Sequence, residues 1–381
     1  MIAAMLEENA ALVQAVRDFA RAELTERDAQ WDREERSCCT ELDPLYEMGL
    51  MGLRVPEEHG GLACPMPVYA AIIRELSYAS PSIGVTVSVH NMVAEIVRTF
   101  AATEVQADIL PRLCQPGNLA AFAISEPNSG SDPGSARTRA DATADGWRLS
   151  GSKMWVTNGI TGRWFVVLAR PADAPPSGSK GLEMMLLDAQ QSGVSRTVIH
   201  GKMGIRASET AEMSLDGARV PRAHRLGQTG WGLRVALSAL DGGRIGIASQ
   251  AIGIGRAALD QMAAYARQRE QFGRKIADFQ AIQWMIADSE TELRAAQALV
   301  DRAAELKEAG QPFTREAAMA KLYASETANR VAYRAVQSHG GYGFVHEFRV
   351  EQLYRDARIT AIYEGTSEIQ RHVIGRELLR H

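Results

Sequence analysis

Apolar positions recur at helical spacing through the first third of the chain. Over residues 5–26, Leu12, Val13, Val16, Phe19 and Ala20 share one face with charges between them, which predicts an amphipathic helix. A second helix is predicted over about 40–50, ending at Gly49, and others over about 66–79, 82–100 and 103–113. In MGLRVPEEHGG, Pro56 and Gly60-Gly61 break regular structure. Near residue 118 the period changes. Short runs rich in β-branched and aromatic residues follow: WRLSG (147–151), KMWVTNG (153–159), RWFVVLAR (163–170), LEMMLLDA (182–189) and VSRTVIHG (194–201). The Pro/Gly/Ser segment 171–181 reads as a loop. Strands at this spacing predict a small β-barrel or sandwich. After Val220-Pro221, long amphipathic patterns over 230–269, 276–308, 315–339 and 348–357 suit a helix bundle. The order is α, then β, then α.

Composition narrows this picture. At 381 residues the chain exceeds what one hydrophobic core supports and has room to bury a cofactor. A net charge of −4 argues against nonspecific nucleic-acid or anionic-membrane binding. No apolar run approaches the roughly 20 residues of a membrane span. The start, MIAAMLEENAALVQAV, carries early glutamates and no basic segment, so no signal peptide is expected. Cys38, Cys39, Cys64 and Cys114 lack C-x-x-C spacing; reduced thiols in a cytoplasmic protein, and no metal site, are the expectation.

Several motifs carry candidate chemistry. Gly253-Ile254-Gly255-Arg256-Ala257-Ala258 matches a dinucleotide fingerprint, yet it lies inside a helical pattern, where close helix packing is the better reading. AFAISEPNSGSDPGSA (121–136) is dense in small polar residues. Such a loop either holds a phosphate or heterocycle edge or simply joins a helix to a strand. In KMWVTNG, Trp155 and Thr157 share one side of a strand, as a wall for a flavin ring or with the Trp in a barrel core. RQREQFGRKIADFQ (267–280) offers Arg269, Arg274, Lys275 and Phe272 to phosphates and an aromatic ring, or forms a solvated helix–turn–helix connection. QSHGGYGF (337–344) allows close backbone approach to a ligand, or is a helix cap. In IYEGTSEIQR (362–371), Glu364 is a candidate general base or a capping carboxylate.

Taken together and in order, these segments, with VPEEHGG (55–61), KMGIRASET (202–210) and LDGGRIGIASQA (240–251), resemble the acyl-CoA dehydrogenase family of flavoproteins along the whole chain. The resemblance is nearest to the short-chain, butyryl-CoA type. It implies a mainly α fold with a central β-barrel: an N-terminal α-helical domain (1–118), a central β-barrel domain (119–228) and a C-terminal four-helix-bundle domain (229–381). It implies α,β-dehydrogenation of a short-chain or lightly branched acyl-CoA to trans-2-enoyl-CoA, with FAD as cofactor. Glu364 would take the α-proton, with Tyr363, Gly365, Ser131, Asp241 and Arg244 about the substrate. Phe122, Ile124, Ser125, Gly130, Ser131, Trp155, Val156 and Thr157 would meet the flavin ring side. Arg269, Phe272, Gln280, Gln337, Gly340 and Gly341 would hold the pyrophosphate and adenine, partly from a neighbouring subunit, and Thr366 and Glu368 would approach the cofactor. One branch of the family carries its base just before the arginine matching Arg244; here that place is Gly243, so Glu364 is the base by this resemblance. An electron-transferring flavoprotein as acceptor and a homotetramer, a dimer of dimers, are further expectations. A carrier-protein-bound thioester as substrate, or a non-catalytic flavin-binding homologue, are the alternatives.

Overall fold

The computed structural model describes residues 2–175, 178 and 180–380. The chain opens with helices α1 (Ile2–Glu8), α2 (Ala10–Phe19), α3 (Thr25–Glu34), α4 (Asp43–Glu47), α5 (Met66–Ala79), α6 (Pro81–Phe100) and α7 (Thr103–Leu113). The single helix predicted over 5–26 is interrupted by a π-turn at Ala20–Leu24. Pro81 at the start of α6 needs no N–H partner, and Ser80 caps the helix by accepting from Ile83 N (3.1 Å). Helices α5 and α6 are apolar nearly all round and are buried accordingly.

The middle of the chain is a sheet of β1 (Ala120–Ala123), β2 (Arg139–Ala142), β3 (Gly146–Thr157), β4 (Trp164–Pro171), β5 (Glu183–Asp188), β6 (Val194–Val198), β7 (Thr210–Pro221) and β8 (Arg225–Leu226). Its order is β6-β7-β3-β2-β4-β5-β8, with β1 parallel against β4. The expected closed barrel is thus corrected to an open sheet. Strand β6 pairs with β7 and β8 with β5, and these two ends do not pair with each other. The physical reason lies in the end strands. Strand β6 is mostly exposed and has little apolar face to bury, and β8 is only two residues long. The loop predicted over 171–181 follows β4; its residues 176, 177 and 179 lie outside the described residues.

The rest is helical: α8 (Gly232–Gln268), α9 (Gln280–Glu308), α10 (Thr314–His339), α11 (Val350–Ile359) and α12 (Ser367–Leu378). At 37 residues, α8 is about 55 Å long. It packs on α5, α6, α9 and α10, and most of its length is buried. Its glycines make that approach possible. A Cβ on Gly253 would stand 2.5 Å from Arg74 O, and one on Gly255 2.7 Å from Leu293 Cδ2. The fingerprint-like run is therefore a packing device in mid-helix. Between α8 and α9 sits a small hairpin, β9 (Glu270–Gln271) with β10 (Arg274–Lys275). Its two-residue turn, Phe272-Gly273, has positive φ at both positions (52° and 74°). Among the described residues all four cysteines are free, no cluster suits a metal, and no helix is long and apolar enough to cross a membrane.

Candidate active site

Glu364 lies in the short connection between α11 and α12. Its backbone is left-handed (φ 54°), a conformation a side chain of this kind seldom adopts. Fixed neighbours hold it there. Gln370 Nε2 donates to Glu364 O (3.1 Å) and Gly365 O (2.8 Å), and Lys321 Nζ donates to Gly365 O (2.7 Å). The Tyr363 hydroxyl donates to Gln250 Oε1 on α8. Thr366 begins α12 as its cap, accepting from Ile369 N (3.3 Å). Gly365 (φ 87°) has no room for a side chain, since a Cβ would meet Gln370 Nε2 at 2.7 Å.

This scaffold turns the carboxyl of Glu364 toward α8. Its Oε2 is sealed from solvent and has no hydrogen-bond partner, so the carboxylate is no cap. Burial pushes its pKa up to about 7, against the opposing pull of Arg244 and Lys321. Gly243 leaves the space in front of it: a Cβ there would lie 2.6 Å from Glu364 Oε2 and 3.1 Å from Met92 Sδ. A cavity of about 10 Å³, bordered by Tyr69, Asn91, Met92 and Gly243, adjoins this point. One turn along α8, Gly246 faces the hydrogen-bonded pair Tyr69 OH and Ser88 Oγ (3.0 Å). Asp241 and Arg244, three residues apart on α8, form an ion pair, and Thr314 Oγ1 donates to Asp241 (2.6 Å).

The sheet contributes to the apolar cluster beside Tyr363. Phe122 and Ile124, on and just after β1, pack against the same apolar cluster as Tyr363, Met92 and Ala239. In β3 the register with β7 shifts between Lys153 and Val156. Trp155 sits in that bulge with φ 61° and is 61% exposed, so it is not a core tryptophan. Val156 points into the sheet core, which leaves only its backbone for a ligand. The 125–131 loop is tied to this strand by Met154 N donating to Ser125 O (2.9 Å) and by the buried pair Lys153–Glu126 (2.8 Å). Gly130 has open space where a Cβ would be, and Ser131 is exposed.

Over residues 6–116, 121–218 and 230–379 the chain matches the models of the acyl-CoA dehydrogenase N-terminal, middle and C-terminal domains. The chain belongs to the acyl-CoA dehydrogenase family. It is 42% identical to the mitochondrial short-chain specific acyl-CoA dehydrogenase of Bos taurus, over 98% of this chain and 90% of that one. It is 40% identical to the acryloyl-CoA reductase (NADH) of Anaerotignum propionicum, over 99% and 95%. The butyryl-CoA dehydrogenase structure from Megasphaera elsdenii superposes with a TM-score of 0.94 at 35% identity, covering 98% of each chain.

As a member of this family the protein is an FAD-dependent oxidoreductase. Its residues fit such a cofactor. Among the described residues, three of the seven non-glycine residues with positive φ are Glu364, Trp155 and Phe272, and strain of this sort collects at ligand sites. Trp155 offers a flat, uncovered ring beside the 125–131 loop. A second exposed patch lies where α8, the hairpin and the end of α10 meet. Phe272, 92% exposed at the hairpin tip, packs edge-on against Phe279 (6.1 Å). Arg269 lies over the Tyr342 ring (5.4 Å), while Gln280 and Gln337 are exposed. Gly340 and Gly341 have no atom within 4 Å of a Cβ position, which admits a ligand backbone-on. Glu368 is exposed on the first turn of α12.

The acyl-CoA dehydrogenase site also contains supports that the sequence reading did not name: Lys321, Gln370, the Lys153–Glu126 pair and the Tyr69–Ser88 pair. For Lys321 a signal existed. It stands among Ala317, Ala320, Ala324 and Ala328 on the apolar face of α10, where a charge is out of place.

Proposed function

We propose that this acyl-CoA dehydrogenase oxidises a short-chain or lightly branched acyl-CoA to its trans-2-enoyl-CoA, with Glu364 as the base. The observation that carries this reading is the sealed, unpartnered Oε2 of Glu364 facing Gly243. An α-proton beside a thioester is weakly acidic, so its removal needs a positioned base of raised pKa and donors for the enolate-like oxygen. Burial raises Glu364 into that range. The backbone N–H of Glu364 is the donor the chain offers to the thioester carbonyl. As the C–H bond at the α-carbon breaks, its proton goes to Glu364 and its electron pair forms the new double bond, while a hydride departs from the β-carbon. Bound FAD supplies the acceptor for that hydride. Phe122 to Ser131 and Trp155 to Thr157 would hold its ring system, the last through backbone and hydroxyl groups. Arg269, Phe272, Gln280, Gln337, Gly340 and Gly341 would hold its diphosphate and adenine. Asp241 and Arg244 would meet the CoA moiety.

The short-chain reading is supported by the similarity to short-chain specific relatives, and the Tyr69–Ser88 pair stands beside Gly246, one helical turn along α8 from Gly243. Electron transfer to an electron-transferring flavoprotein belongs to the same proposal, as does a homotetramer in which the second patch serves a neighbouring copy. The test is anaerobic mixing of the holoenzyme with acyl-CoAs of increasing length. Butyryl-CoA should bleach the flavin fastest. Bleaching by dodecanoyl-CoA without bleaching by butyryl-CoA would contradict the short-chain reading.

A further inference from the structure

Lys321 is fully buried on α10, and its one hydrogen bond runs to the carbonyl of Gly365, the residue after the base (2.7 Å). A buried ammonium normally ion-pairs. Among the described residues Lys321 has no carboxylate within 4 Å, whereas Arg244, the other cation near Glu364, is already paired with Asp241. Glu326, one turn along α10, is taken by Ser367 Oγ (2.7 Å), and Glu368 on α12 is exposed. Lys321 is thus a buried amine without a direct ion pair, placed at the base of the loop that carries Glu364.

We infer that Lys321 is a positioning residue for the base: its hydrogen bond to Gly365 O helps to hold Glu364 in its left-handed conformation, and its charge adds to that of Arg244 in favouring the ionised carboxylate. This rests on Glu364 acting as the base. Both parts follow from the same placement. A donor on Gly365 O fixes the peptide next to the strained residue. A cation unshared with another carboxylate favours the ionised form of the nearest acid. The groups facing Glu364 are Arg244 from α8, Tyr69 from α5, Lys321 from α10 and Tyr363 on its own segment. Burial lowers the pKa of Lys321 to about 7, and Glu364 is the strongest of the groups opposing that fall, ahead of Glu326 and Glu368. Base and lysine therefore influence each other over the same pH range.

The test uses holoenzyme carrying Lys321→Met or Lys321→Gln, with Glu364→Gln as a control. Two quantities are followed against pH: the rate of anaerobic flavin bleaching, and the infrared band of the protonated Glu364 carboxyl, assigned by its loss in Glu364→Gln. In both Lys321 variants the acid limb and the band should move to higher pH by roughly one unit, because the favourable charge is gone. Lys321→Gln keeps a donor for Gly365 O and should retain more of the maximal rate than Lys321→Met. A lowered melting temperature with acid limb and band unmoved would overturn the inference. So would failure of both variants to give folded flavoprotein, which would assign Lys321 to the scaffold. If Glu364→Gln itself bleached at the normal rate, the base assignment would fall, whatever the lysine variants did.

Discussion

A Cβ built on Gly243 would stand 2.6 Å from Oε2 of Glu364, closer than any real carbon–oxygen contact of that kind. The two residues come from opposite ends of the C-terminal region, one from the buried middle of α8 and one from the link between α11 and α12. Their relationship explains why only one of them carries a carboxylate. The space in front of Gly243 belongs to Glu364, and a side chain at 243 would displace it.

Gly243→Ala should therefore impair catalysis more than folding. The added methyl must push Glu364 aside, and a misplacement on the ångström scale costs on the order of 10²-fold in rate. Flavin content and melting temperature should change little. A normal bleaching rate in Gly243→Ala would mean that the carboxyl does not need its present position.

The pH dependence follows from the raised pKa of Glu364. As a base it must be ionised, so the bleaching rate should climb as pH rises through about 7. The sign for stability is opposite. The folded-state value lies above the ordinary glutamate value of about 4.3, so folding favours the protonated form. The stability this provides is complete below about pH 4.3 and is lost as pH rises through about 7. Glu364→Gln should accordingly be more stable than the parent above neutrality, as thermal unfolding at several pH values would reveal.

Much of this was legible in the sequence because helical periodicity over long segments is a strong signal. The predicted helix at 103–113 is α7, residue for residue, and 66–79 is α5. The π-turn at Ala20–Leu24 left no trace in the pattern, since one extra residue in a turn barely shifts an apolar face. Barrel closure was misjudged for a different reason. Alternation within strands reveals faces but not which edges meet, and that depends on the exposed β6 and the two-residue β8. At the candidate site, the motif pointed to Glu364, but its strained backbone and its supports from α10 and α12 are tertiary facts. Trp155 illustrates both sides: the strand and its aromatic were evident, the bulge that turns the ring outward was not.

The Lys153–Glu126 pair should matter to both stability and flavin retention. Glu126 also accepts from Arg137 N (2.7 Å), Thr138 N (2.9 Å) and Thr138 Oγ1 (2.6 Å), so the pair ties β2 and the 125–131 loop to β3. Lys153→Met leaves that carboxylate without its counter-ion, a change that typically costs about 3–5 kcal/mol. Urea unfolding should show a loss of this order, and gel filtration should show earlier release of FAD. An unchanged midpoint would remove the pair from the account.

A second pH effect is predicted away from the active site. Burial pushes Asp356 above the usual aspartate range, with Asp28 and Asp32 adding to the push, while Ile205 N donates to its Oδ1 (2.5 Å). Gln352 Nε2 bridges Asp28 (2.7 Å) and Asp356 (3.4 Å). Because the folded state holds the extra proton, this cluster's contribution to stability declines as pH rises from the acid range past neutrality. Asp356→Asn keeps the acceptor for Ile205 and removes the titration. Its advantage over the parent should grow with pH, to on the order of 1 kcal/mol by pH 8. Parallel unfolding curves for the two proteins at pH 5 and pH 8 would contradict this.

The central claim, that Glu364 removes the α-proton, is tested most directly by anaerobic mixing of Glu364→Gln holoenzyme with butyryl-CoA. The variant should retain FAD and shift its flavin spectrum on binding the thioester, but should not bleach. Bleaching at the parent's rate would contradict it.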